Sequence, residues 1–164
     1  MPHFVFSARR VLLLALGAVV LTWALVWPRP EVRADAPAGR YTLTSDTVLD
    51  TVTGLLWQRN FPATAQNWSS AGSYCQSLDL GGFASGWRLP TISELESLID
   101  WSRYNAAIDM TAFPGTPGEL FWSSNIEASR GDAGPTLGAW GVDFYHGNSK
   151  TASLASSGYV RCVR

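Results

Sequence analysis

Residues 86–105 read GWRLPTISELESLIDWSRYN. Thr91 and Glu94 stand three apart at the head of an apolar pattern, which is the spacing of a capping box. The hydroxyl accepts from a first-turn N–H, and the carboxylate reaches back to the cap. Ile92, Leu95, Leu98 and Ile99 recur at helical spacing and predict one apolar face, with Asp100 and Trp101 closing the helix. Pro90 restricts Leu89 to an extended conformation, so a straight segment leads into that helix. Arg88, just ahead of the cap, reads as a structural cation for Glu94, Asp100 or Asp109. Glu94 and Glu96 fall on different faces, so they do not make a catalytic carboxylate pair. The stretch specifies architecture and supplies no chemistry.

Working outward, a first helix precedes it. Asn67 is a good N-cap, and Trp68, Ala71, Cys75 and Leu78 follow at helical spacing. Gly81 and Gly82 are expected to end it. Residues 41–60, YTLTSDTVLDTVTGLLWQRN, alternate Thr, Val and Leu around Gly54 and read as short strands joined by a turn. FPATAQ (61–66) reads as a loop. Downstream, FWSS (121–124), AWGVDF (139–144) and YVRCVR (159–164) read as strands. EASRGDAGPTLG (127–138) reads as a turn-rich loop, and YHGNSK (145–150) as a hairpin turn. The fold class is α+β: two helices, antiparallel strands and a long loop-rich region.

The N-terminus has a different character. Residues 11–27, VLLLALGAVVLTWALVW, carry no charge and follow Arg9 and Arg10. This is an export signal, cleaved after Ala34 or retained as an inner-membrane anchor. Residues 35–45 then form a linker, and 46–164 the domain. The expected location is extracytoplasmic: periplasmic, secreted or membrane-anchored. Without residues 1–34 the chain has eight basic and twelve acidic side chains, a net charge of about −4. That balance excludes the concentrated basic face of a nucleic-acid binder.

Cys75 and Cys162 both follow the signal, in a compartment where disulfides persist. One bridge between them is the simplest reading. A catalytic thiol would need a nearby base and a partner-free sulfur. His146 is the one histidine after the signal. Ser123, His146 and Asp143 can be assembled into a nucleophilic triad only on paper. No catalytic or cofactor-binding residue is assigned. A calcium site, the one cofactor considered, would draw on Asn125, Glu127, Asp132, Asp143 and Asn148.

Six tryptophans follow the signal. Trp57, Trp68, Trp87 and Trp122 sit among apolar neighbours and read as core, whereas Trp101 and Trp140 are expected at the surface. Exposed aromatics stack on sugar rings and anchor partners. Arg103, Arg130, His146, Lys150, Arg161 and Arg164 could add a local basic patch. The candidate ligand-binding set is Trp101, Arg130, Trp140, Asp143, His146, Asn148 and Lys150.

Six motifs appear in order: TGLLW (53–57), Trp68 with YC at 74–75, GWRLPTISELESLIDWSRYNAAID (86–109), FP (113–114), FWSS (121–124) and YVRCVR (159–164). Together they resemble the Lcl C-terminal domain family of exported bacterial proteins, over roughly residues 46–164. RLPTISELESL is also distantly similar to formylglycine-generating-enzyme-like domains, whose fold is C-type-lectin-like. That similarity implies a compact lectin-like domain. Those enzymes work through a copper-binding cysteine pair, and the two cysteines here are accounted for by a bridge. The sugar-binding calcium motifs of C-type lectins are absent. An adhesin of the Lcl family implies sulfated glycans, which an acidic chain suits poorly.

The functional expectation is an exported, non-enzymatic recognition domain, with carbohydrate or another cell-surface ligand as its partner. Two other classes stand beside it: a structural cell-envelope domain that binds a protein through residues 125–150, and an enzyme-like domain with cryptic activity.

Overall fold

Two small antiparallel sheets and two short helices are tied together by the C-terminal segment. The structure is a computed structural model that describes residues 39–131 and 134–164, with side chains at 129–136 left out. The apolar run 11–27 and the cleavage position after Ala34 lie outside the described residues. Among the described residues, no helix is long and apolar enough to cross a membrane.

The first sheet has the order β1-β2-β3, from Tyr41–Leu43, Thr47–Asp50 and Leu56–Gln58. Gly54, at φ 74°, makes the β2–β3 turn. Arg40 and β1 fall within the stretch assigned as linker, yet they are part of the fold. Arg40 grips the buried Asp50 carboxylate through two nitrogens, at 2.7 and 3.2 Å, and donates to the Ser97 carbonyl. Burial pushes the Asp50 carboxyl up, and the Arg40 bonds and Val52 N–H outweigh it, holding it below the usual carboxylate range.

The second sheet has the order β4-β5-β6, from Leu120–Gly131, Gly134–Asp143 and Asn148–Ser153. It corrects the expectation of a turn-rich loop at 127–138: β4 and β5 pair as far as Gly131↔Gly134. Strand β6 occupies part of the expected 145–150 turn, and Asn148 pairs with Asp143. A bulge interrupts β4. Trp122 pairs with Gly141 and Ile126 with Ala139, so Ser123–Asn125 bow out opposite Trp140 alone. Four elements meet at this bulge. Ser123 Oγ donates to the Trp140 carbonyl, and Trp68 Nε1 donates to the Ser123 carbonyl. Ser124 N donates to the Pro90 carbonyl, and Asn125 Oδ1 accepts from Ile92 N.

Helix α1 spans Trp68–Gln76, with Asn67 Oδ1 capping Ser70 N at 2.9 Å. It buries Ala71 and Cys75, one turn apart. It stops at Ser77, ahead of the expected glycines. Gly81 (φ 62°) instead serves a tight turn against Thr47, where a Cβ would lie 2.7 Å from Thr47 Cγ2. Helix α2 is shorter than its apolar pattern implies, Ile92–Glu96. Leu98 and Ile99 bond three residues back, tightening the last turn. Ile99 then leaves to pair with Ile108. Leu95 and Leu98 still reach the core, at 0% and 2% exposure.

The segment YVRCVR makes single bridges to several partners in place of one regular strand. Tyr159 pairs parallel with Phe121, and Val163 pairs with both Trp57 and Arg88. The segment runs between two apolar clusters. Val160 and Cys162 face one, with Ala71, Trp87, Leu89, Leu120 and Trp122. Val163 joins the other, built from Val48, Trp57, Leu95, Phe113, Phe121 and Phe144. The Cys75–Cys162 disulfide lies inside the first cluster, with the two Cα atoms 5.5 Å apart.

Candidate functional site

The expected brace at the helix start is present. Arg88 binds Glu94 through two nitrogens at 2.7 and 2.8 Å, not Asp100 or Asp109. Glu94 Oε2 also accepts from Thr91 N, while Thr91 Oγ1 accepts from Glu94 N. The Arg88 bonds, joined by the Thr91 N–H, pull the Glu94 pKa from 4.5 to about 2 against the opposing effect of burial. Arg88, Thr91 and Glu94 therefore hold the helix start.

At the other end of α2, aromatic side chains gather at the surface. The 100–105 turn is pinned by Asp100, whose carboxylate accepts from Ser102 N, Ser102 Oγ and Arg103 Nε. This presents Trp101, 74% exposed, and Tyr104, 62% exposed. The β5–β6 turn presents Tyr145 and His146 beside them. Tyr104 lies 4.7 Å from Tyr145 and 5.5 Å from His146 between ring centroids, and Tyr145 lies 4.7 Å from His146, all edge to face. The two turns are joined through the backbone. Asn105 N donates to the Tyr145 carbonyl, and Ala107 N to that of Phe144. Gly147 (φ 71°) makes the approach possible: a Cβ there would meet Ile99 Cγ2 at 2.8 Å, with Trp101 Cε3 at 3.9 Å.

A polar fringe borders this platform. Asp143 accepts from Tyr145 N and from Lys150 Nζ. Burial raises its pKa, but the Lys150 ammonium and that N–H win, so the carboxylate is held below the usual range. Asn148 is exposed opposite Asp143. Ser149 donates to Glu96, linking β6 to α2. Such a surface offers ring faces for C–H stacking and a rim of donors and acceptors.

The structure brings Trp101, Asp143, His146, Asn148 and Lys150 into this region. It leaves Trp140 apart, half-buried mid-strand in β5. The Arg130 side chain and Asp132 lie outside the described residues. Tyr104 and Tyr145 were missed. Their signal was their place next to singled-out residues, in WSRY and YH. Trp57, Trp87 and Trp122 are core, and Trp68 is half-buried.

The supposed basic patch is corrected. Arg161 is fully buried, its guanidinium donating to the carbonyls of Gln58 and Arg59 and to Thr116 Oγ1. Arg164 stacks on Phe83 at 3.8 Å. The paper triad is not assembled either, because Ser123 is buried with its hydroxyl committed to Trp140. Of the oxygens considered for calcium, Asn125 caps α2 and Asp143 holds Lys150. Among the described residues, no three His, Cys, Asp or Glu side chains cluster to hold a metal ion.

Residues 46–164 match the family model described as the Lcl C-terminal domain. No curated protein matches the chain.

Proposed function

The chain belongs to the Lcl C-terminal domain family, and from that premise we propose that it is an exported, non-enzymatic recognition domain that binds carbohydrate through the Trp101 platform. The observation that carries this reading is the exposed cluster of Tyr104, Tyr145 and His146, with the exposed Trp101 reaching the same β5–β6 turn at Gly147. The face of an exposed indole suits the C–H side of a pyranose. The fold reading is C-type-lectin-like. It draws support from the helix-to-C-terminus disulfide, the paired small sheets and the RLPT stretch. Export agrees with the Cys75–Cys162 bridge, since disulfides persist outside the cytosol.

A glycan array probed with the purified chain tests the reading. The expected result is binding that Trp101→Ala or Tyr104→Ala abolishes without moving the melting temperature. A blank array, or binding indifferent to both substitutions, refutes it. One observation favours a second reading, a cell-envelope protein partner. Ile126 and Leu137, 51% and 59% exposed, lie on the β4–β5 hairpin. Under that reading, Ile126→Ser with Leu137→Ser removes the interaction and the platform substitutions do not.

A further inference from the structure

A separate cleft of about 390 Å³ lies between α1 and the turn leading into α2. Its size is at the lower end of the range for small-molecule sites, roughly 300–1,000 Å³. The floor is apolar: the Trp68 ring, Leu89 and the bare backbone of Gly72. Trp68 spends its one donor on the Ser123 carbonyl, so toward the cleft it has only ring carbon to offer. The rim is polar and uncharged in effect. Among the described residues Arg88 is the one cation on it, and Glu94 neutralises it through two bonds. Gln76 and Ser124 line the same cleft, and their side-chain amide and hydroxyl have no partner among the described residues. The Thr91 hydroxyl accepts from Glu94 N at the cleft edge.

Gly72 is the second observation. Glycine inside a helix costs roughly 0.5–1 kcal/mol relative to alanine, and here nothing in the fold demands it. A Cβ at Gly72 would meet only Leu89 Cδ1, at 3.8 Å, an ordinary contact. A methyl group would therefore fit the fold and project over the cleft floor. The position trades helix stability for open space above Leu89.

We propose that this cleft binds one uncharged sugar ring, its C–H face on Trp68 and Leu89 and its hydroxyls toward Gln76, Ser124, Thr91 and Arg88. A charged ligand would find no free counter-charge among the described residues of the rim. A purely apolar side chain would leave the rim groups unmatched. The proposal does not rest on the Trp101 platform, because the two sites share no residue.

The test is amide and indole N–H chemical shift mapping of the chain with neutral methyl glycosides of glucose, galactose, mannose and N-acetylglucosamine, and with short oligosaccharides of the same sugars. Saturable shifts at Gly72, Ser124 and the Trp68 indole N–H are expected. Shifts from a methyl glycoside identify a free or terminal sugar as the source, and shifts from oligosaccharides alone identify a chain residue. Gly72→Ala should weaken binding about tenfold or more, as one methyl group in a pocket does, while its melting temperature holds or rises. Trp101→Ala should leave this binding unchanged. Silence of these signals to every sugar overturns the proposal, as does unchanged affinity in Gly72→Ala. Equal loss in Trp101→Ala would assign the binding to the platform and also overturn it.

Discussion

Replacing both Cys75 and Cys162 by alanine should destabilise the domain by about 5–6 kcal/mol. The bridge joins residues 87 apart in sequence. In the chain-entropy model, a loop of that length removes about 15 cal/mol/K from the unfolded ensemble, or about 4.6 kcal/mol at 25 °C. Both sulfurs also sit among Ala71, Trp87, Leu89, Trp122 and Val160, and deleting them adds about 1 kcal/mol of lost packing. For a domain spanning 46–164 the unfolding entropy is roughly 0.25 kcal/mol/K, so the melting temperature should fall by roughly 20 °C. Urea titration separates the two contributions. The entropic part acts on the unfolded chain, so removing the bridge should raise the m-value as well as lower the midpoint. The reduced native sequence should share that raised m-value and lie about 1 kcal/mol above the double variant. A loss below about 2 kcal/mol with an unchanged m-value would refute the reasoning. It would mean that the bridge decorates a fold closed by its clusters alone.

Two further perturbations probe the scaffold. Glu94 has its folded pKa lowered from 4.5 to about 2, so its stabilisation is fully present above pH 4.5 and is lost as pH falls toward 2. Arg88 is 45% exposed, so solvent screening limits the cap and ion pair together to about 1–2 kcal/mol. Urea stabilities of the native chain and Glu94→Gln should differ by that amount at pH 6 and converge near pH 2. A gap that persists at pH 2 would be inconsistent with the linkage. Gly141→Ala should cost about 2–3 kcal/mol, because a Cβ there would lie 2.4 Å from the Phe121 carbonyl oxygen and 2.7 Å from Leu120 Cδ1. An unchanged thermal melt would show that β4 and β5 can part more easily than their register implies.

What could be read in the sequence was what short-range chemistry decides. The Asn67 cap, the Ala71–Cys75 spacing and the Thr91–Glu94 box each need only neighbours within one helical turn, and each is formed. Strand β6 was invisible because NSKTAS has no apolar alternation; its order comes from the backbone of β5. The β4–β5 hairpin was hidden by composition, since Ser, Gly and Pro read as loop while register with a distant strand keeps them extended. Helix α2 stopped short because Ile99 pairs with Ile108, a partner that helical periodicity does not reveal. At the platform, Trp101 and His146 were legible as exposed chemistry. Their meeting with Tyr104 and Tyr145 depends on two turns joined only in the fold.

Arg161 shows why the C-terminal segment, more than the opening motif, closes the molecule. Residues 160–163 are all fully buried, which a strand achieves only when both of its faces are covered. Val160 and Cys162 pack into the disulfide cluster, whereas the guanidinium of Arg161 sits 4.6 Å from the Phe113 ring centroid and within 6 Å of those of Phe61 and Phe121. No carboxylate pairs with it among the described residues. Burial pushes its pKa down to about 9, so it remains charged at neutral pH. Carbonyls from β3 and the residue after it, the Thr116 hydroxyl and three aromatic faces supply part of the compensation that water would otherwise give, while Nε has no partner among the described residues. A leucine here would satisfy the apolar cluster but take the Arg161 donors from the buried Gln58 carbonyl, the Arg59 carbonyl and the Thr116 hydroxyl. The arginine therefore couples both: it fixes where the C-terminal segment lies against β3, and with it the register that brings Val163 against Arg88. The turn at 88–91 is thus held from both sides, by Glu94 ahead of it and by Val163 beside it. That is what fixes the cleft wall made by Arg88, Leu89 and Thr91.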